Sequence, residues 1–129
     1  MPYIDSQIFR KKGEKKNLTI TLSEGEPILA SIKTAMAQNK IGEVKVEDMS
    51  GEVKEATISF MSGSKYECKE LRNQGILRAS GNFKLNFDEL YGNMHISTAG
   101  KSPITGTFVK GKAAEGLEIK MSFVEIKDK

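Results

Sequence analysis

Along most of this chain hydrophobic residues recur every second position; in one short stretch they recur every third and fourth. Leu18, Ile20 and Leu22 alternate with Thr19 and Thr21, the pattern of a strand with one buried face. From about Pro27 to Asn39 the period changes, and Ile28, Leu29, Ile32, Ala35 and Met36 form the apolar stripe of a helix. Pro27 suits the first turn, where its missing N–H would find no partner, and Glu24 and Glu26 would complement the positive end of the helix dipole. Asn39 or Gly42 can terminate it.

After Gly42 the chain reads as β. Val44 and Val46 alternate, Ser50-Gly51 predicts a turn, Ala56, Ile58 and Phe60 share a face, and Ser62-Gly63 predicts another turn. Tyr66 and Cys68 alternate with Lys65, Glu67 and Lys69, as in an edge strand whose charges discourage pairing with other chains. Leu77, Ala79, Gly81, Phe83, Leu85 and Phe87 alternate with Arg78, Ser80, Asn82, Lys84 and Asn86, predicting a long half-buried strand with a small-residue notch at Gly81. Met94 and Ile96 take the face opposite His95. A turn over Ala99 to Pro103, a strand over Ile104 to Lys110, and a last strand carrying Leu117, Ile119, Met121 and Phe123 complete the pattern. One early helix and six or more later strands, mostly in hairpin succession, predict an α+β fold: an antiparallel-rich mixed sheet with one main helix packed on it.

Length bounds this to a single domain over residues 1–129, large enough to bury a core without a staple. A lone Cys68 cannot form an internal bridge, and 38% hydrophobic with 29% charged residues excludes a disordered or collagen-like chain. Apolar runs are too short for a membrane helix, and Met1 to Phe9 lacks the basic start and apolar middle of a secretory signal, so a cytoplasmic protein without membrane partners is expected.

Charge is concentrated rather than spread. The net charge is +3, yet residues 10–16 hold five cations and one anion, which leaves about −1 for the rest of the chain. Arg10, Lys11, Lys12, Lys15 and Lys16 are therefore the candidate phosphate contacts, on a loop that holds no aromatic residue for base stacking.

Catalytic chemistry finds little support. His95 is the only imidazole, so a catalytic triad or a two-histidine zinc site within one chain is excluded. Cys68 has Lys65, Lys69 and Arg72 near in sequence but no base to activate it. Gly106 to Gly111 lacks the Lys-Ser or Lys-Thr of a phosphate loop and reads as strand. The adjacent carboxylates Glu47-Asp48 and Asp88-Glu89 suggest solvated turns rather than an acid–base pair. No cofactor is expected.

The order of several segments carries a family resemblance. Gly25-Glu26-Pro27-Ile28-Leu29 opens the helix and Asn39-Lys40-Ile41-Gly42 follows it; Ile76 to Phe83, Met94-His95-Ile96-Ser97, Thr105 to Gly111 and Gly116-Leu117-Glu118-Ile119 then succeed in turn. From about Ile8 to Ile126 the chain resembles the plant and prokaryote conserved (PPC) domain. The resemblance implies an antiparallel-rich sheet flanked by a helix, a homotrimer and a role in DNA binding. In plants the domain follows an AT-hook, whose Arg-Gly-Arg-Pro core is absent here, and Arg72-Asn73-Gln74-Gly75 stands where plant domains carry a Gly-Arg-Phe partner motif. Many prokaryotic members resemble zinc proteins with a His-x-His and a third His, and the fold is similar to zinc-dependent acetolactate decarboxylases. Here those positions read Asn93-Met94-His95 and Phe108, so no bound metal is expected. The expected function is a DNA-binding or regulatory scaffold through the basic loop. The alternatives are a small-molecule binding protein or residual enzyme using a degenerate metal pocket at Asn93, His95 and Phe108, or a trimeric protein-interaction module.

Overall fold

The computed structural model describes residues 14–100 and 103–125. Within them the elements follow the order β1 (Glu14–Leu22), α1 (Ile28–Gln38), β2 (Glu43–Ser62), β3 (Lys65–Asn86), β4 (Glu89–Thr98), β5 (Thr105–Ala113) and β6 (Leu117–Glu125). One sheet holds the six strands in the order β1-β6-β2-β3-β4-β5, and β5 also pairs with β2, so the sheet closes on itself. All strand pairs in it are antiparallel, so the mixed character expected from the sequence gives way to a purely antiparallel sheet among the described residues.

Two strands are longer than their sequence suggests. β2 continues through Ser50-Gly51 without turning and changes neighbour there: Lys45 to Ser50 pair with β6, and Val53 to Ser59 pair with β5. β3 accompanies β2 along its other edge. Gly51 sits at this change of neighbour, with φ at 121° and its α-carbon so close to β6 that a Cβ would lie 3.2 Å from the Leu117 Cα. The glycine thus marks a close strand crossing rather than a turn. β3 likewise joins the expected Lys65 to Lys69 and Leu77 to Phe87 strands into one of 22 residues, so five long strands follow the helix instead of six or more short ones. Ser62 and Lys65 do close a hairpin around Gly63.

Bulges shift the phase of the inward face. Between Ile76 and Arg78 the register of β3 against β4 slips, so Ile76 and Ala79 are buried while Leu77 points to solvent. Phe87 leaves the strand altogether. It shares the β3–β4 turn with Asp88, both at positive φ, and is 93% exposed.

α1 begins and ends where the sequence predicts, with Pro27 and Asn39 as its flanking residues. Its C-terminus is closed by backbone bonds from Lys40 to the Ala37 carbonyl and from Ile41 to the Met36 carbonyl, with Lys40 in the left-handed conformation usual for such a cap. The acidic residues before the helix act differently from expectation. No acidic residue lies in the first turn; Glu26 instead accepts a bond from the Ser23 amide at 2.7 Å, and Glu24 pairs with Lys54 at 3.2 Å. Ile28, Ile32 and Met36 are fully buried and pack with Val46, Met49, Ile58, Met94, Ile96, Leu117, Ile119 and Met121 in one core.

Candidate functional site

Strand alternation that buries Val44, Val46, Met94 and Met121 necessarily turns their neighbours outward. The register then assembles residues far apart in sequence: Asn17 lies opposite Ser122, Ser122 opposite Lys45, Lys45 opposite Asn82, and Asn82 opposite Asn93. This polar row crosses five strands, roughly 19 Å at the usual strand spacing. Tyr91, Lys84 and Glu43 form a shorter row beside it.

At the β1 side the face deepens into a groove of about 780 Å³ between the end of α1, β2, β3 and β6. Its polar walls carry Lys15, Lys40, Lys45 and Lys84 against only two carboxylates, Glu43 and Glu47, while Ile41, Leu85 and Phe123 supply apolar surface. The Ser122 hydroxyl donates to Glu47 Oε2 at 2.5 Å, and Lys15 Nζ stands 3.7 Å from the same oxygen. The bond from Ser122 first, then the charges of Lys45 and Lys15, hold the Glu47 carboxyl below its ordinary value of 4.5 against an opposing desolvation. One of the two negative charges in the groove is thereby engaged.

The basic segment is only partly a loop. Lys15 and Lys16 belong to β1, where pairing with β6 continues to Glu14, so alternation sends Lys15 into the groove wall and Lys16 to the other side. Lys16 is half-buried. Arg10, Lys11 and Lys12 lie outside the described residues. Lys40, Lys45 and Lys84, which no local charge run singles out, join Lys15 only through the fold.

The expected pocket does not form as a unit. Asn93 and His95 both stand exposed on the outer face of β4. Phe108 is 4% exposed and points into the core, because β5 places Thr107, not Phe108, opposite His95. Thr107 Oγ1 and His95 Nδ1 are hydrogen-bonded at 3.2 Å. One imidazole, a carboxamide and a hydroxyl do not fit a zinc ion, which takes three or four strong donors. Among the described residues no three His, Cys, Asp or Glu side chains group to hold a metal. Cys68 is exposed on the β2–β3 hairpin. No helix among the described residues is long and apolar enough to cross a membrane.

A family model described as the Plants and Prokaryotes Conserved (PCC) domain matches residues 9–124. The chain belongs to that family. Solved structures agree on the fold. A PPC protein from Pyrococcus horikoshii is 19% identical with a TM-score of 0.71, covering 88% of this chain and 81% of its own. A metal-containing protein from Archaeoglobus fulgidus is 17% identical with a TM-score of 0.73, over 90% and 85% of the two chains. A candidate DNA-binding protein from Ralstonia eutropha is 16% identical with a TM-score of 0.68, over 92% and 86%. No curated protein matches the chain significantly. For this PCC member the metal content of the archaeal relative has no counterpart in the donors around His95.

Proposed function

We propose that this PCC-domain protein is a cytoplasmic, single-domain DNA-binding or regulatory scaffold that contacts phosphates without reading base sequence. The observation that carries this reading is the position of Lys15, the one described residue of the basic run that lines the groove, where it joins Lys40, Lys45 and Lys84. Lysines release condensed counterions when they neutralise phosphates, and they position a protein on DNA without discriminating bases. The candidate DNA-binding relatives from Ralstonia eutropha and Bacteroides thetaiotaomicron lend the same direction.

Assembly as a homotrimer is part of the proposal. Every residue from Met61 to Glu70 on the β2–β3 hairpin is exposed, including Tyr66 at 77%. A two-stranded ribbon that no described residue covers is marginal in water, so a second copy against it would supply the missing cover. Three copies would also bring three basic grooves to one ligand and strengthen weak contacts through avidity. Light scattering should give close to three times 14.2 kDa, and a monomer would reject the trimer.

The DNA contact is tested by titrating duplex at two salt concentrations against the wild type and a variant carrying Lys15→Gln, Lys40→Gln, Lys45→Gln and Lys84→Gln. Affinity of the wild type should fall by about 0.9 log units per log of salt for each phosphate neutralised. The variant should bind weakly with a shallower salt slope. Unchanged affinity in the variant would move the contact elsewhere, and no binding by the wild type at low salt would end the DNA reading.

A further inference from the structure

One feature at the end of the basic groove is unexplained by duplex phosphate contacts. The β3–β4 turn places Phe87 at φ 51° and Asp88 at φ 64°, the two left-handed positions of a tight hairpin that Asn and Gly ordinarily fill. A bulky side chain is unfavourable there, and this one gains no burial in return, since Phe87 is 93% exposed. Among the described residues, no packing contact asks for an aromatic ring at the tip.

Its neighbours give it a context. Leu85, two residues before it, lines the groove, and the Leu85 amide is bonded to the Gly42 carbonyl at 2.8 Å, which fixes this end of the hairpin against the loop after α1. Tyr91 is 50% exposed, lies opposite Lys84 in register, and donates its hydroxyl to Glu89 at 2.8 Å. That bond holds the phenol's pKa above its ordinary value. A rim of lysines thus runs toward two exposed aromatic rings on a single hairpin.

We propose that the groove and this aromatic tip together bind single-stranded nucleic acid. Lys15, Lys40, Lys45 and Lys84 follow the backbone, and Phe87, with Tyr91 further along the same hairpin, stacks on bases. The inference rests on the nucleic-acid reading above and narrows it. A cationic groove combined with exposed aromatic faces is the chemistry that holds an unpaired strand, because every base offers a face to stack while a duplex hides those faces inside its own stack. Stacking tolerates any sequence, which agrees with a groove whose described lining has lysines and amides but no arginine to pair bidentately with a base.

Fluorescence anisotropy with a labelled thymidine oligonucleotide and a labelled duplex of equal length tests it on the full chain. The wild type should bind the single strand more tightly. Phe87→Ala should weaken single-strand binding by about fivefold or more, as removal of a stacking ring does, and leave duplex binding unchanged, whereas Phe87→Tyr should keep the affinity. Phe87→Asn guards against a folding artefact, since Asn is at ease at left-handed φ; it should melt no lower than the wild type and still lose single-strand affinity. Equal single-strand binding by Phe87→Ala, or tighter binding of duplex by the wild type, overturns the stacking inference while the quadruple lysine variant shows whether the DNA reading stands. Failure of the wild type to bind either oligonucleotide removes both.

Discussion

The two halves of the β2–β3 ribbon carry the same backbone bonds and opposite surroundings. From Glu43 to Val46, β2 pairs with Lys84 to Gly81 of β3, and Val44, Val46 and Phe83 are buried in the core. From Ser59 to Ser62 it pairs with Cys68 to Lys65 in an equally regular ladder, yet residues 61–70 are all exposed. Both segments are regularly paired; only one of them is buried. Since backbone bonds exchange with water at small net gain, stability should reside in the half that covers apolar surface, and the outer half should be the part left open for a partner.

The sharpest attempt to break this contrast is a cavity in the inner half. Phe83→Ala, buried in the inner half, should cost about 3–5 kcal/mol, and Met94→Ala on the neighbouring β4 about 2–5 kcal/mol, read from denaturant midpoints. A loss under about 1 kcal/mol would show that the core is not where the stability lies. Gly81→Ala comes next. Its new Cβ would lie 2.4 Å from the Asn93 carbonyl oxygen and the Met94 Cα, so β3 and β4 must separate, and a cost of about 1–3 kcal/mol is expected.

In the outer half, Tyr66→Ser should change the stability of the isolated chain by no more than about 0.5 kcal/mol, because its ring touches little within it. A larger loss that grows with protein concentration would instead report the proposed trimer. Amide exchange should sharpen the same contrast without mutation, with residues 61–68 exchanging well before residues 79–84.

The smallest effect concerns the outer face over the inner half. Glu47 is held below 4.5 when folded, so it binds fewer protons folded than unfolded near that pH. Its contribution is therefore complete above 4.5 and is lost as the pH falls through the folded value. Ser122→Ala removes the principal cause, and the Glu47 titration, followed by carboxyl NMR, should move up toward 4.5. An unmoved titration would assign the shift to Lys45 and Lys15 instead.

Local pattern sufficed for much of this molecule. Pro27, the stripe through Met36 and Asn39 fix α1 to within a residue, because a helix is bonded within itself and its ends are set by adjacent side chains. The same holds for the inward Met94 and Ile96 with His95 outside, and for the final strand. Where the chain depends on a distant strand, the pattern fails. Ser50-Gly51 has the composition of a turn, but β6 and β5 hold β2 straight past it. Phe108 stands at a position of the expected pocket, but the register that sets Thr107 against His95 turns it into the core. Alternation fixes two faces for each strand without saying which is inside, and a single bulge reverses the answer. Lys40, Lys45 and Lys84 are unremarkable in sequence and meet Lys15 only because strand pairing between remote segments builds the groove. The sequence by itself determined the elements and the charge of one short segment; long-range pairing, which no local period encodes, decided which side chains share a surface.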